Sequence, residues 1–161
     1  MIIPDLNRGI SMSAVKNSIV ALAIMLLVCS PVNAEDKLNL SQYKGKIVYL
    51  DFWASWCKPC KKSFPWMNKM RETYSNDQLV ILAVNLDKEK KLADEFLAKN
   101  PAKFTIIYDE NSDLAKQYQI PGMPSSILFD QNGKVIKVES GFFEKKIPQY
   151  EKAFQQAITN L

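Results

Sequence analysis

Apolar and polar positions change period along this chain, and the changes mark its elements. Residues 46–54, KIVYLDFWA, run almost without a polar break and are rich in β-branched and aromatic side chains, which predicts a buried strand. From Lys58 onward, Phe64, Met67, Met70 and Tyr74 recur every three or four residues, the spacing of a helix with one face on a core. Residues 78–86, QLVILAVNL, read as a second strand, apolar enough to be covered on both faces of a parallel sheet. Leu92, Ala93, Phe96 and Leu97 mark a helix that stops near Asn100 and Pro101. KFTIIYD at 103–109 predicts a third strand, and NSDLAKQYQI at 111–120 a short helix. SSILFDQNGKVIKVESG at 125–141 holds two strands joined by the turn residues Asp130–Gly133. Ile147, Tyr150, Phe154, Ala157 and Ile158 form a last amphipathic helix.

The order β-α-β-α-β-α-β-β-α predicts an α/β fold, a mixed β-sheet with helices on both faces. No repeat, low-complexity tract or long linker divides it, and 161 residues suit one domain with a real core.

The apolar run from Ile19 to Cys29 has a different meaning. Lys16 precedes it, and Val32-Asn33-Ala34 follows with modest side chains where a processing enzyme needs them. That arrangement is a secretory signal peptide over residues 1–34. The run is too short to cross a bilayer, which takes about 20 apolar residues. Pro4 and Asp5 fit a signal poorly, and initiation at Met12 would give a tidier leading segment, MSAVKNS. The domain then occupies 35–161, in a periplasmic location, membrane-anchored if the signal is retained. Cleavage removes Arg8 and Lys16 against Asp5, taking the net charge from +4 to +3, and it removes Cys29. The exported chain keeps two cysteines, Cys57 and Cys60.

Charge and composition exclude much. Lysines are interleaved with acids, as in LDKEKKLADEF, which suits a solvated surface rather than a nucleic-acid groove. There is no histidine, so Ser-His-Asp and Cys-His catalysis, His-ligated metals and axial-His haem are all out. No cofactor is implied.

The chemistry concentrates at DFWASWCKPC, residues 51–60. One cysteine pair with no further Cys or His falls short of the four ligands of a zinc site. A purely structural bridge across two residues closes a tiny loop and removes little unfolded-chain entropy. The pair stands where a strand gives way to a helix. Cys57 then lies at the helix N-terminus, where free N–H groups, the macrodipole and Lys58 favour a thiolate. Pro59 falls in the first turn, where its missing N–H costs nothing. Cys60, one turn in, is placed to resolve a mixed disulfide. Redox exchange is the reading these residues favour over a staple.

KGKIVYLDFWASWCKPCKKSFPWM and IPGMPSSILFDQNGKVI, in this order and spacing, resemble the two landmarks of the thioredoxin superfamily, and more closely its exported TlpA/ResA-type branch. The resemblance covers about residues 37–160. The stretch from DKEKKLADEFLAKN through FTIIYD resembles the extra helix and strand of that branch. It implies a thioredoxin-like fold, Cys57 as exposed nucleophile and Cys60 as resolving cysteine. Pro124 matches the cis proline facing the disulfide, with the Met123 backbone pairing with substrate. Asp51 matches the buried acid that accepts the proton of the resolving cysteine, a role that needs a pKa lifted by burial. Trp56 is expected on the surface as a docking platform beside Lys58 and Pro59, and Trp53 and Phe64 in the core. Two departures stand out. Thioredoxin's lysine beside the buried acid is replaced by Ala83 or Val84, and among Asp87, Lys88 and Glu89 none cleanly matches the glutamate some exported reductases carry.

The resemblance implies an exported thiol–disulfide oxidoreductase, expected to be a monomer, that reduces disulfides in other exported proteins, with apocytochrome c cysteine pairs as one candidate class. Electrons would come from a membrane thiol donor. An oxidant of the same fold, and a thioredoxin-like binding or chaperone module, are the rival readings.

Overall fold

The structure is a computed structural model and describes residues 38–159. The expected signal peptide, the start at Met12 and Cys29 lie outside the described residues. Five strands form one mixed sheet in the order β3-β2-β1-β4-β5. They are β1 (Ile47–Trp53), β2 (Leu79–Asn85), β3 (Thr105–Tyr108), β4 (Ser125–Phe129) and β5 (Val135–Ser140). Between and after them come α1 (Lys58–Thr73), α2 (Lys90–Lys99), α3 (Asp113–Gln117) and α4 (Ile147–Thr159), with 3-10 turns at Leu40–Tyr43 and Glu144–Lys146. β1 and β3 run parallel to β2, while β4 runs antiparallel to β1 and to β5.

β1 is buried along its whole length because it is the middle strand, covered on both faces. Its side chains alternate between two cores. Ile47, Tyr49 and Trp53 pack with residues of α1, α2 and α4. Val48, Leu50 and Phe52 pack with Leu114 of α3, Leu38, and the half-buried Leu40 and Tyr43 of the first 3-10 turn. Helices therefore lie on both faces, three on one side and only a short one on the other.

The three-helix face fixes the helix that matters most. Trp53 of β1, Phe64 of α1 and Phe96 of α2 meet pairwise with ring centroids 4.9, 5.0 and 5.1 Å apart. Each fully buried side chain of this size stabilises the fold by about 1.5–3 kcal/mol. A second aromatic group, Tyr49, Trp66, Tyr150 and Phe154, holds α4 against α1 and β1. α1 is thus packed from two sides.

α1 also contains Pro65, which cannot donate to the Lys61 carbonyl. Pro65 sits on the exposed side of the helix, where water can satisfy that carbonyl, so the helix runs on to Thr73. Arg71 closes its far end, donating to the Tyr74 and Leu79 carbonyls at 2.7 Å each. In the β4–β5 turn, Asp130 Oδ1 accepts from the Asn132 and Lys134 amides at 2.9 and 2.8 Å. Gly133 takes φ +79°, a conformation that favours glycine. Among the described residues, no helix is long and apolar enough to cross a membrane.

Candidate active site

The buried end of β1 delivers the chain to the site. After Trp53, residues 54–56 form a short loop, and the Cys57 amide donates to the Ala54 carbonyl at 3.1 Å. Cys57 is the N-cap of α1, and its Sγ accepts from the Cys60 amide at 3.3 Å. That is the position in which a Ser or Asp oxygen usually takes up a free helix N–H. A sulfur there meets the positive end of the helix. Cys57 and Cys60 form a disulfide with Cα atoms 5.3 Å apart, an ordinary separation for such a bond. Pro59 is within the first turn, and the exposed Lys58 has no carboxylate partner among the described residues.

Cys60 is wholly buried and Cys57 is 5% exposed. The expectation of an exposed nucleophile therefore needs correcting. In the disulfide, Cys57 is drawn into the same core cluster as Cys60, and it is only the more accessible of the two. The exposed group is its neighbour Trp56, at 68%, while Trp53 and Phe64 are buried.

The Met123–Pro124 peptide bond is cis. Met123 packs half-buried against the cluster that contains both cysteines, and Pro124 is buried. The loop is held by the Gly141 amide donating to the Pro124 carbonyl at 2.7 Å and by Ser125 Oγ donating to the Gly122 carbonyl at 2.7 Å.

Asp51 is 2% exposed, and its Oδ2 has no hydrogen-bond partner. Burial holds its carboxyl well above the usual carboxylate range. In register, Asp51 stands opposite Ala83 on β2 and Ser126 on β4. Ala83, rather than Val84, is thus the neighbour on β2, and it offers no charge. Tyr49, two residues back on the same face, has its phenol pushed up by its own burial and then by the Asp51 charge, against a hydrogen bond from Ser126.

A second buried acid lies nearby on β2's exit. Asp87 is 1% exposed and accepts three hydrogen bonds. The Ser55 amide and hydroxyl donate to it at 2.9 Å each, and Asn85 Nδ2 donates at 2.7 Å. Asp87 therefore ties the loop that carries Trp56 and Cys57 to the end of β2. The Leu86 amide, donating to the Trp53 carbonyl at 2.9 Å, closes the same junction. Lys88 and Glu89, weighed alongside it in the sequence, are exposed. Ser55 and Asn85 were not anticipated. The available signal is Asn85-Leu86-Asp87, two polar residues at alternate positions where an apolar strand ends. Among the described residues, no group of three or more Cys, Asp or Glu side chains is placed to hold a metal ion.

Comparison with known proteins agrees with this geometry. The sequence profile of the Redoxin family matches residues 27–154. The thiol-disulfide oxidoreductase ResA of Geobacillus thermodenitrificans (strain NG80-2) is 36% identical over 108 residues, 67% of this chain and 62% of that protein. ResA of Bacillus subtilis (strain 168) is 33% identical over 105 residues, 65% of this chain and 59% of that protein. The matched region thus spans about three fifths of these relatives. Among solved structures, a protein assigned as thiol:disulfide interchange protein DsbE from Chlorobium tepidum superposes with a TM-score of 0.72 at 44% identity, covering 74% of this chain and 84% of that one. StoA from Bacillus subtilis superposes at 0.59 and 29% identity, covering 68% and 82%. The fold is thioredoxin-like, and with most of its length matched by one family profile the chain belongs to the Redoxin family.

Proposed function

We propose that this chain is an exported thiol–disulfide oxidoreductase that reduces disulfides in other exported proteins. The observation that carries the reading is the Cys57–Cys60 disulfide at the N-terminus of α1, with Cys57 Sγ capping the helix. A thiolate there is stabilised by the same N–H and by the helix dipole. In the reduced enzyme the Cys57 thiolate attacks one sulfur of a substrate disulfide and expels the other as a thiolate. Cys60 then gives its proton to the Asp51 carboxylate and attacks Cys57 Sγ, releasing the second substrate thiolate. Two electrons pass to the substrate, and the enzyme is left with its Cys57–Cys60 disulfide. Met123 and Pro124 position the substrate chain, and Trp56, Lys58 and Pro59 form the rim it meets.

Similarity to the ResA and DsbE proteins supports this reading, as does the signal-like segment ahead of the domain. A membrane thiol donor would restore the dithiol, and the cysteine pairs of apocytochrome c are one fitting substrate class. Proline at the second position between the cysteines favours reduction over oxidation as the direction. The test is the equilibrium reduction potential of the Cys57–Cys60 pair, titrated against a thiol buffer. The expected value lies near thioredoxin's, about −270 mV. A value near about −120 mV, that of the oxidant DsbA, would reverse the direction. A pair that never cycles would end the redox reading.

A further inference from the structure

We propose that the groove between α1 and α4 binds an acidic stretch of the substrate protein next to the cysteine attacked by Cys57. The inference rests on the thiol-exchange reading above and names the chemistry of the chain that the site prefers. The groove has a volume of about 640 Å³ and begins at Lys58, the residue after the nucleophile. Its α1 wall carries Lys58, Lys61, Lys62 and Lys69. These positions recur at helical spacing, so they fall along one stripe of α1. Pro65, Trp66 and Ile147 also line the groove and give it an apolar floor.

The far wall shows what the lysines receive. Glu144 pairs with Lys62 at 3.1 Å and Glu151 pairs with Lys69 at 2.9 Å, each reaching across from the opposite side. Two of the groove's lysines therefore already meet carboxylates of this chain, in exposed pairs across it. At the end of the groove nearest Cys57 in sequence, Lys58 and Lys61 have no carboxylate within ion-pair distance among the described residues. Two lysines without a carboxylate partner thus stand in the first turn of α1, at its positive end, directly after Cys57. A row of lysines on a helix is commonly no more than a solvated face. Here the groove's own ion pairs, its apolar floor and its continuity with the nucleophile argue for an acidic occupant.

Length agrees. Lys58 to Lys69 spans about 16 Å at 1.5 Å per helical residue. An extended segment covers that distance in about five residues. Acidic side chains within five residues of the substrate cysteine would meet Lys58 and Lys61 first, whatever the net charge of the protein that carries them.

The experiment compares two disulfide-linked peptides, identical except that the five residues beside the attacked cysteine are acidic in one and basic in the other. A small uncharged disulfide, too short to reach the groove, serves as the third substrate. The purified protein, with a small dithiol supplied to restore its own Cys57–Cys60 pair and the uncatalysed rate subtracted, is expected to show a KM about tenfold lower for the acidic peptide at low salt, with the gap closing as salt screens the charges. In the double variant Lys61→Glu, Lys62→Glu that preference is lost or inverted, while turnover of the small disulfide stays at the wild-type rate. Equal KM values for the two peptides in the wild type would overturn the proposal. So would a variant that loses activity on all three substrates alike. If the wild type turns over none of the three, it is the exchange reading itself that fails, and the groove proposal goes with it.

Discussion

Asp51 and Asp87 are both buried carboxylates at the end of the sheet that carries the cysteines, and they are opposite in kind. Asp87 accepts three hydrogen bonds, two of them from Ser55. Asp51 has one oxygen with no partner at all, and its carboxyl is pushed well above the usual range by desolvation. Burial alone does not distinguish them. The number of donors does: Asp87 has three and ties two segments together through them, while Asp51 has an oxygen with none and burial raises its pKa. One acid fixes the loop ahead of Cys57; the other has the raised pKa that the proton-acceptor role proposed for it requires.

The variant Asp51→Asn tests the starved acid, and its largest effect is on rate. Decay of the mixed disulfide, followed by quenched-flow trapping, is expected to slow by about 100-fold, the lower end of what a general base contributes. Its effect on stability has the opposite sign. The folded pKa of Asp51 is raised above the unfolded one, so folding is favoured below the ordinary carboxylate pKa, and that advantage is lost as pH rises through the raised pKa. Asn removes this loss. The variant should be more stable than wild type at about pH 8, by roughly 1–3 kcal/mol, and the two should converge near pH 3. A variant less stable at pH 8 would break the comparison.

Asp87→Ala sharpens it from the other side. Loss of this acceptor leaves Ser55 and Asn85 donors unpaired in a buried junction, at a cost of about 3 kcal/mol in denaturant unfolding. A cost under about 1 kcal/mol would mean that the three hydrogen bonds do not hold the loop. Ser55→Ala removes one of them and keeps the backbone donor, so about 1 kcal/mol is expected in the same measurement.

Much of this architecture was legible in the residues. Apolar runs located the strands within a residue or two, as with 46–54 against β1 at Ile47–Trp53. Spacings of three and four located α1, α2 and α4, and Asp130–Gly133 announced the hairpin. These are local signals, set by neighbours in the chain. What stayed hidden depends on register or distance. Asp87 reaches Ser55 across 32 residues, and no local pattern specifies that pairing. Whether Ala83 or Val84 faces Asp51 is decided by how β1 and β2 align. The burial of Cys57 follows from packing around the disulfide. The uneven distribution of helices, three to one face, was equally absent from periodicity, which tells which side of a helix is buried but not against which side of the sheet.

The sheet order has a consequence for how the protein is made. β1 leads into the cysteines early in the chain, yet one of its two neighbours is β4, which carries the Pro124 loop at its start and arrives after β2 and β3. A ribosome or a translocation channel releases the reactive pair well before the strand that completes its surroundings. Until β4 pairs with β1, Asp51 lacks its Ser126 neighbour, and Met123, just ahead of β4, is not yet packed against the cluster that holds both cysteines. A growing chain, or one truncated before β4, therefore carries the two thiols without all of the packing that surrounds them in the finished fold. The surroundings of the cysteines are completed late, when β4 and then the last helix join the fold.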